Sequence, residues 1–166
     1  KRFSVDTQRI LRRIERESGP IDYAMTEDPP VDAVLSVIAE KRQQYRRTGV
    51  GDPFDDPAVL AIMAGLVRQS GPACRCVLET LSIGGRVVAR HVGLRHGGHL
   101  TYWFPVYDGS LKAYAPGRLQ LWHSILAARR HGITCIDLGE GESQLKQDFA
   151  THPTRCGRVN WRAGGP

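Results

Sequence analysis

The sequence predicts an α+β (layered α/β) domain in which helices flank a single mixed, twisted sheet. Three observations predict it. Apolar residues recur at helical spacing up to about residue 69 and change their period from Ala73 onward. Two glycine pairs, Gly84-Gly85 and Gly97-Gly98, divide the following stretch into three strand-length pieces, as in an antiparallel meander. A strongly amphipathic helical pattern then precedes one short apolar run, so the order is helices, meander, helix, strand. The 166 residues are 41% hydrophobic and 24% charged, which suits one unit spanning 1–166 with a core of its own.

Each element has its own local reason. Residues 5–18 place Ile10, Leu11 and Ile14 on one side of a helix that Gly19-Pro20 stops. Residues 21–25 alternate like a short strand. Asp28-Pro29-Pro30 opens a helix to Arg47 that carries Val34, Leu35, Ile38 and Tyr45, with a basic end suited to the helix dipole. A Gly-, Asp- and Pro-rich loop covers 49–57, and Asp56-Pro57 starts a helix to about Gln69. The meander strands are Arg75–Ile83, Arg86–Arg95 and His99–Val106. Pro116–His131 is the clearest helix, with Leu119, Leu121, Trp122, Ile125, Leu126 and Ala128 expected inside. Arg118, Gln120, Ser124, Arg129 and Arg130 are expected in water. Gly132 ends it, 133–138 reads as a strand, 142–150 as a final helical turn, and 158–161 as an edge strand.

Lys and Arg outnumber Asp and Glu by 23 to 17, a net charge of +6 that favours anionic partners. Residues 86–131 hold seven basic side chains against Asp108 alone, and 132–150 then turn acidic. Composition equally describes two solvated surfaces of opposite sign. The Cys74-Arg75-Cys76 spacing would set two thiols on one strand face. With no CxxC pair and six scattered histidines, no metal site is expected, and reduced thiols in a cytoplasmic protein are. No apolar run is long enough for a transmembrane helix. The first residue is Lys1 rather than Met, and the chain is expected to be the C-terminal part of a longer protein.

Chemistry concentrates in three places. At Ala115-Pro116-Gly117-Arg118, a Pro-Gly turn opens the best helix, where unpaired N–H groups and the positive dipole end attract phosphate. The run Asp137-Leu138-Gly139-Glu140-Gly141-Glu142, with Lys146 beyond it, follows an apolar strand and offers carboxylates for proton transfer. Tyr107-Asp108 ends the meander, and a phenol there has the chemistry to protonate a leaving thiolate. Each has a plainer structural alternative: a helix start, a polar turn, and a ring packed at a strand end.

From Gly84 to Ala150 the chain resembles the acyltransferases of the GNAT superfamily, in their CelD-like or FemAB-like branch. The resemblance rests on Gly85-Arg86-Val87-Val88-Ala89, Tyr107-Asp108, Ala115-Pro116-Gly117-Arg118-Leu119-Gln120-Leu121-Trp122, Gly132-Ile133, and Ile136-Asp137-Leu138-Gly139-Glu140-Gly141-Glu142 followed by Lys146. Ala115 and Leu145 stand where that branch commonly has Ser and Tyr. The resemblance implies a GNAT fold with acyl-CoA or acetyl-CoA wedged between splayed strands. Trp103, Pro105 and Tyr107 would meet its pantetheine arm, and Pro116, Gly117, Arg118 and Leu119 its pyrophosphate. Glu140 or Glu142 would take the acceptor's proton and Tyr107 would be an acid, with Asp137 and Lys146 completing the motif. The expected activity is acyl transfer to an amine or hydroxyl of a small-molecule or saccharide acceptor, in cell-envelope or exopolysaccharide synthesis. Two alternatives accompany it: aminoacyl transfer from tRNA, and a non-catalytic module for polysaccharide assembly.

Overall fold

The structure is a computed structural model describing residues 2–69 and 71–157, with side chains from residue 5. Its elements run α1 (Arg2–Ser18), β1 (Ile21–Glu27), α2 (Val31–Thr48), α3 (Pro57–Arg68), β2 (Arg75–Ile83), β3 (Arg86–His96) and β4 (His99–Tyr107). They continue with α4 (Pro116–Ala128), β5 (Cys135–Asp137) and α5 (Gln144–Phe149). Strands β1 to β4 pair antiparallel in chain order, and β5 joins β4 in parallel, so the sheet is mixed as expected. The expected edge strand at 158–161 lies outside the described residues.

Both faces of β2 are covered, and its alternation assigns them. Cys76 and Leu78 face α2 and α3 with Val34, Val37, Ile38, Phe54, Met63, Val92 and Phe104. Leu81 and Ile83 face α1 and α4 with Ile14, Val88, Ala89 and Leu119, while Val77 joins Leu100 and Ile133 further along that face. Side chains two apart along a strand share a face, which is why one strand serves both cores. The strand begins at Arg75, so the two cysteines do not share an environment: Cys74 precedes it exposed, and Cys76 is buried.

Two irregularities shape the sheet. Leu81 opposes Ala89 but Ser82 opposes Val87, so Val88 is an extra residue in β3. Between the pairs Val92–Phe104 and Leu94–Thr101, Tyr102 and Trp103 of β4 stand opposite Gly93 alone. Such bulges bend a strand and re-aim its side chains. The pairing of β4 with β5 spans three residue pairs, His99–Cys135 to Thr101–Asp137, and stops at the second bulge. Beyond it the two strands separate.

The structure corrects the expected faces of α4. Gln120 and Ser124 are fully buried, while Ile125 and Leu126 are 40% and 56% exposed. The reason is electrostatic, because a carboxylate from β2 lies beneath this helix. On α2 and α3 the apolar residues Leu35 and Ile62 are likewise exposed, each at the edge of its apolar stripe.

The β2–β3 turn depends on glycine. Gly84 sits at φ +56° and a Cβ there would lie 2.3 Å from the Ser18 carbonyl oxygen. Gly84→Ala is therefore expected to cost at least the roughly 1–3 kcal/mol of a strained left-handed residue. Gly51→Ala, in open space at an ordinary φ, should be close to neutral. Thermal denaturation of the two variants checks this: equal melting temperatures would show that the α1–β2 approach tolerates a methyl group.

Candidate active site

Where β4 and β5 part, a cleft of about 470 Å³ opens. Its walls include Lys41 of α2, Tyr102, Trp103 and Pro105 of β4, and Glu140 and Lys146 from the segment after β5. That segment is tied down locally. The Asp137 carboxylate accepts the Gly139 N–H at 2.8 Å, and Gly139 and Gly141 hold φ values of +75° and +90°. Lys146 Nζ donates to the carbonyls of Gly139 and Glu140 at 2.9 and 2.5 Å, and Ser143 caps α5 by accepting the Lys146 N–H. Lys146 and Asp137 thus shape the loop that presents Glu140. Glu142 is exposed and lies outside the cleft walls.

Lys41 is a residue the sequence reading missed. Its stem is buried, its Nζ donates to the Pro105 carbonyl at 2.9 Å, and it stands 5.1 Å from the centre of the Tyr45 ring. Burial pulls its ammonium below the ordinary lysine value. The signal in the sequence was a lysine in phase with Val34, Val37 and Ile38 on α2.

The remaining expected donor-binding residues lie at the start of α4. Pro116 has no N–H, and the N–H groups of Arg118 and Leu119 already reach the Ala115 carbonyl. This leaves the Gly117 N–H as the first-turn donor without a partner among the described residues. The Leu119 side chain is fully buried. The Arg118 guanidinium pairs with Asp148 of α5, whose carboxyl is held low by Gln144 and Arg118. Ala115, at φ +49°, makes the left-handed turn into the helix. Tyr107 does not line the β4–β5 cleft. Its ring lies against Gly117, where a Cβ would meet it at 3.3 Å, and it borders a second groove beside Arg47 and Glu40. Asp108 accepts from Ser110, which holds its carboxyl low, and also pairs with Arg86. Of the expected site residues, Trp103, Pro105, Glu140 and Lys146 therefore meet at the cleft, with Asp137 bracing its loop. Tyr107 gathers with Pro116–Leu119 at the helix start, while Glu142 joins neither group.

Behind the cleft is a buried polar network that the sequence reading also missed. Glu79 of β2 and His91 of β3 are opposite each other in register, and both are fully buried. Glu79 Oε2 lies 3.1 Å from His91 Nδ1 and accepts from Gln120 Nε2 at 3.0 Å and from the Ser124 hydroxyl. His91 Nε2 accepts the Trp103 backbone N–H at 3.0 Å. That bond fixes the tautomer: Nε2 is an acceptor, so the proton sits on Nδ1 and is donated to Glu79. The His91 ring stacks on Tyr102 at 3.7 Å and lies over Gly93, where a Cβ would come within 2.7 Å of it. Burial pushes the Glu79 carboxyl up, but the bonds from His91, Ser124 and Gln120 outweigh it and hold the group below its ordinary value. The signal was an acid in the apolar phase of a strand: Val77, Glu79, Leu81, Ile83.

Much of the basic surplus is already engaged. Arg86, Arg90, Arg95 and Arg118 pair with Asp108, Glu40, Glu27 and Asp148. No cluster of His, Cys, Asp or Glu among the described residues is arranged to hold a metal ion, and no described helix is long and apolar enough to cross a membrane.

Comparison with known proteins places the chain in a family. Residues 2–147 match the acetyltransferase (GNAT) domain, and the chain belongs to that family. The fold agrees with solved structures. A possible acetyltransferase of Clostridium difficile superposes with a TM-score of 0.56 over 85% of this chain and 97% of its own, at 10% identity. An aminoglycoside acetyltransferase from an uncultured soil sample, solved with sisomicin, gives 0.53 over 87% and 97%, at 7% identity. A GNAT family acetyltransferase of Staphylococcus aureus gives 0.51 over 84% and 98%, at 10% identity. Among curated proteins, a UDP-N-acetylmuramate–L-alanine ligase of Frankia alni is 32% identical over 129 residues, 68% of this chain. The chain spans only 20% of that ligase's length. The mixed sheet flanked by helices is thus the GNAT fold, and the family's general activity is acyl transfer.

The Glu79 network makes two predictions. Unfolded Glu79 takes up a proton near its ordinary value of 4.5, whereas folded Glu79 holds out to lower pH. Its contribution to stability is full above the unfolded value and is lost as pH falls through the folded one. The melting-temperature gap between wild type and Glu79→Gln should therefore narrow on going from about pH 6 to about pH 3. A gap that widens on acidification would contradict the assignment. Ser124→Ala should cost roughly 1.5–3 kcal/mol, the value of a hydrogen bond to a charge, in urea denaturation at neutral pH.

Proposed function

We propose that the protein transfers an acyl group from acyl-CoA, with acetyl-CoA the simplest case, to an amine or hydroxyl of a saccharide-type cell-envelope precursor. The observation that carries this reading is the parting of β4 from β5 at the bulge, which opens a cleft between a strand edge and a loop bearing Glu140. An extended thioester arm fits such an opening along β4. At the start of α4, the Gly117 N–H and the positive dipole end would meet the donor's phosphates, with the Tyr107 ring beside them. The Arg118 guanidinium, paired with Asp148, ties α5 to α4 beside this helix start.

In the proposed reaction the acceptor's nitrogen or oxygen attacks the thioester carbonyl, and the carbon–sulfur bond breaks. Glu140 takes the acceptor's proton, directly or through water, and that proton returns to the departing thiolate. Lys146 and Asp137 keep the Glu140 loop in place, and Glu142 remains at the surface. The acceptor class is supported by the likeness to part of a UDP-N-acetylmuramate–L-alanine ligase, a protein whose name specifies a nucleotide-linked N-acetylmuramate.

Isothermal titration of acetyl-CoA into the protein, followed by thiol release in the presence of amino sugars such as glucosamine, tests the reading. Binding and acceptor-dependent thiol release are expected. Glu140→Gln should lower kcat by about 10²–10⁴-fold, as for loss of a general base. Tyr107→Phe should leave kcat unchanged. Tyr107→Ala should raise KM for acetyl-CoA about tenfold, the equivalent of roughly 1.4 kcal/mol of contact. Failure of several acyl-CoAs to bind, together with salt-sensitive retention of aminoacyl-tRNA, would replace this reading with aminoacyl transfer.

A further inference from the structure

The Glu79–His91 pair is not among the groups that the proposed reaction uses, yet it ends at the cleft. Its last link is the bond from the Trp103 N–H to His91 Nε2, at 3.0 Å. Trp103 and Tyr102 are the two bulge residues opposite Gly93, and both line the cleft where β4 leaves β5. A trans peptide is planar, so directing the Trp103 N–H at His91 sends the Tyr102 carbonyl the opposite way. The direction of one peptide plane at the mouth of the cleft is thus set by a side chain on β3.

That side chain has little freedom of its own. Nδ1 donates to Glu79, one ring face stacks on Tyr102, and the ring lies over the bare backbone of Gly93. Glu79 is held in turn by Gln120 and Ser124 of α4. The carboxylate, imidazole and peptide N–H form one chain of hydrogen bonds from the helix to the strand edge. A fully buried histidine and glutamate are a costly way to fill a sheet face that Val and Leu would fill without a desolvation penalty. An apolar side chain at position 91 would leave the Trp103 N–H with no acceptor beneath it.

We infer that His91, oriented by Glu79, is a positioning residue for the acyl-transfer cleft, fixing the Tyr102–Trp103 peptide so that the bound thioester is held in reacting geometry. This rests on the acyltransferase reading. The expected consequence is a change in the transfer step with little change in donor affinity, because the donor's phosphates bind at the start of α4, away from the bulge.

The test combines nitrogen-15 NMR of the wild-type protein with the kinetics of two variants. In wild type, His91 should show its proton on Nδ1 and an unprotonated Nε2, and the Trp103 amide should be protected from hydrogen exchange. His91→Gln can still accept from Trp103 and donate to Glu79, and should keep kcat and the Trp103 protection. His91→Leu should lose that protection and lower kcat by about ten- to a hundredfold, as small misplacements in reacting geometry do, with KM for acetyl-CoA nearly unchanged. A proton on Nε2 in wild type would overturn the inference. So would a folded His91→Leu that matches wild type in kcat, or a His91→Gln as impaired as His91→Leu. If His91→Leu does not fold, the wild-type tautomer and the His91→Gln comparison decide the matter. Failure of acetyl-CoA and of several longer acyl-CoAs to bind wild type is a separate result, which removes the acyl-CoA reading itself.

Discussion

The carboxylate of Glu79 is the constraint around which this domain is organised. An ion on the inner face of a sheet stays there only if donors replace the water it has lost, because leaving it unpaired costs several kcal/mol. Here the donors come from two directions: His91 on the neighbouring strand, and Gln120 with Ser124 from the helix above. The helix must therefore turn a polar stripe inward, which brings Ile125 and Leu126 toward solvent. A helix packed by hydrophobicity alone would sit in a different rotation. Its first turn, beside the Tyr107 ring, would then point elsewhere. One buried charge thus couples β2, β3 and α4, and through His91 it reaches β4 as well.

This coupling explains which parts of the fold were legible in the sequence. The helices α2 and α3 and the three meander strands follow from local periodicity and from glycine pairs at the turns, and the structure has them within a few residues. The mixed, layered sheet also follows, since a helix between β4 and a final strand returns the chain parallel to β4. The inward face of α4 was not legible, because hydrophobicity stands in for burial only when the surface opposite is apolar. The partner of Gln120 and Ser124 is more than forty residues away, and no local window contains it. Lys41 was hidden for the same reason: its acceptor is a backbone carbonyl on β4.

The candidate site was legible in its composition and less so in its arrangement. The acidic loop after β5 and the Pro-Gly helix start were visible as motifs, with the glycines at 139 and 141 marking unusual backbone. Their division into a cleft group and a helix-start group depends on how far β4 and β5 stay paired, and that is set by a bulge at Tyr102 and Trp103. The basic surplus between residues 86 and 131 suggested an anionic partner. Four of its arginines instead pair with acids on neighbouring elements, so a phosphate at the start of α4 would be met by local backbone dipoles more than by a broad positive field.

Pro105 has a further consequence. Past Thr101 the edge of β4 has no strand beside it among the described residues, and an open edge invites pairing with other polypeptide chains. A proline there removes a donor from the ladder, and Lys41 covers the carbonyl of the same residue with a buried ammonium. An incoming strand would find neither partner at that position and would meet a positive charge. A narrow ligand that needs only one or two hydrogen bonds along the strand loses far less. The same pair of residues thus works against strand addition at this position.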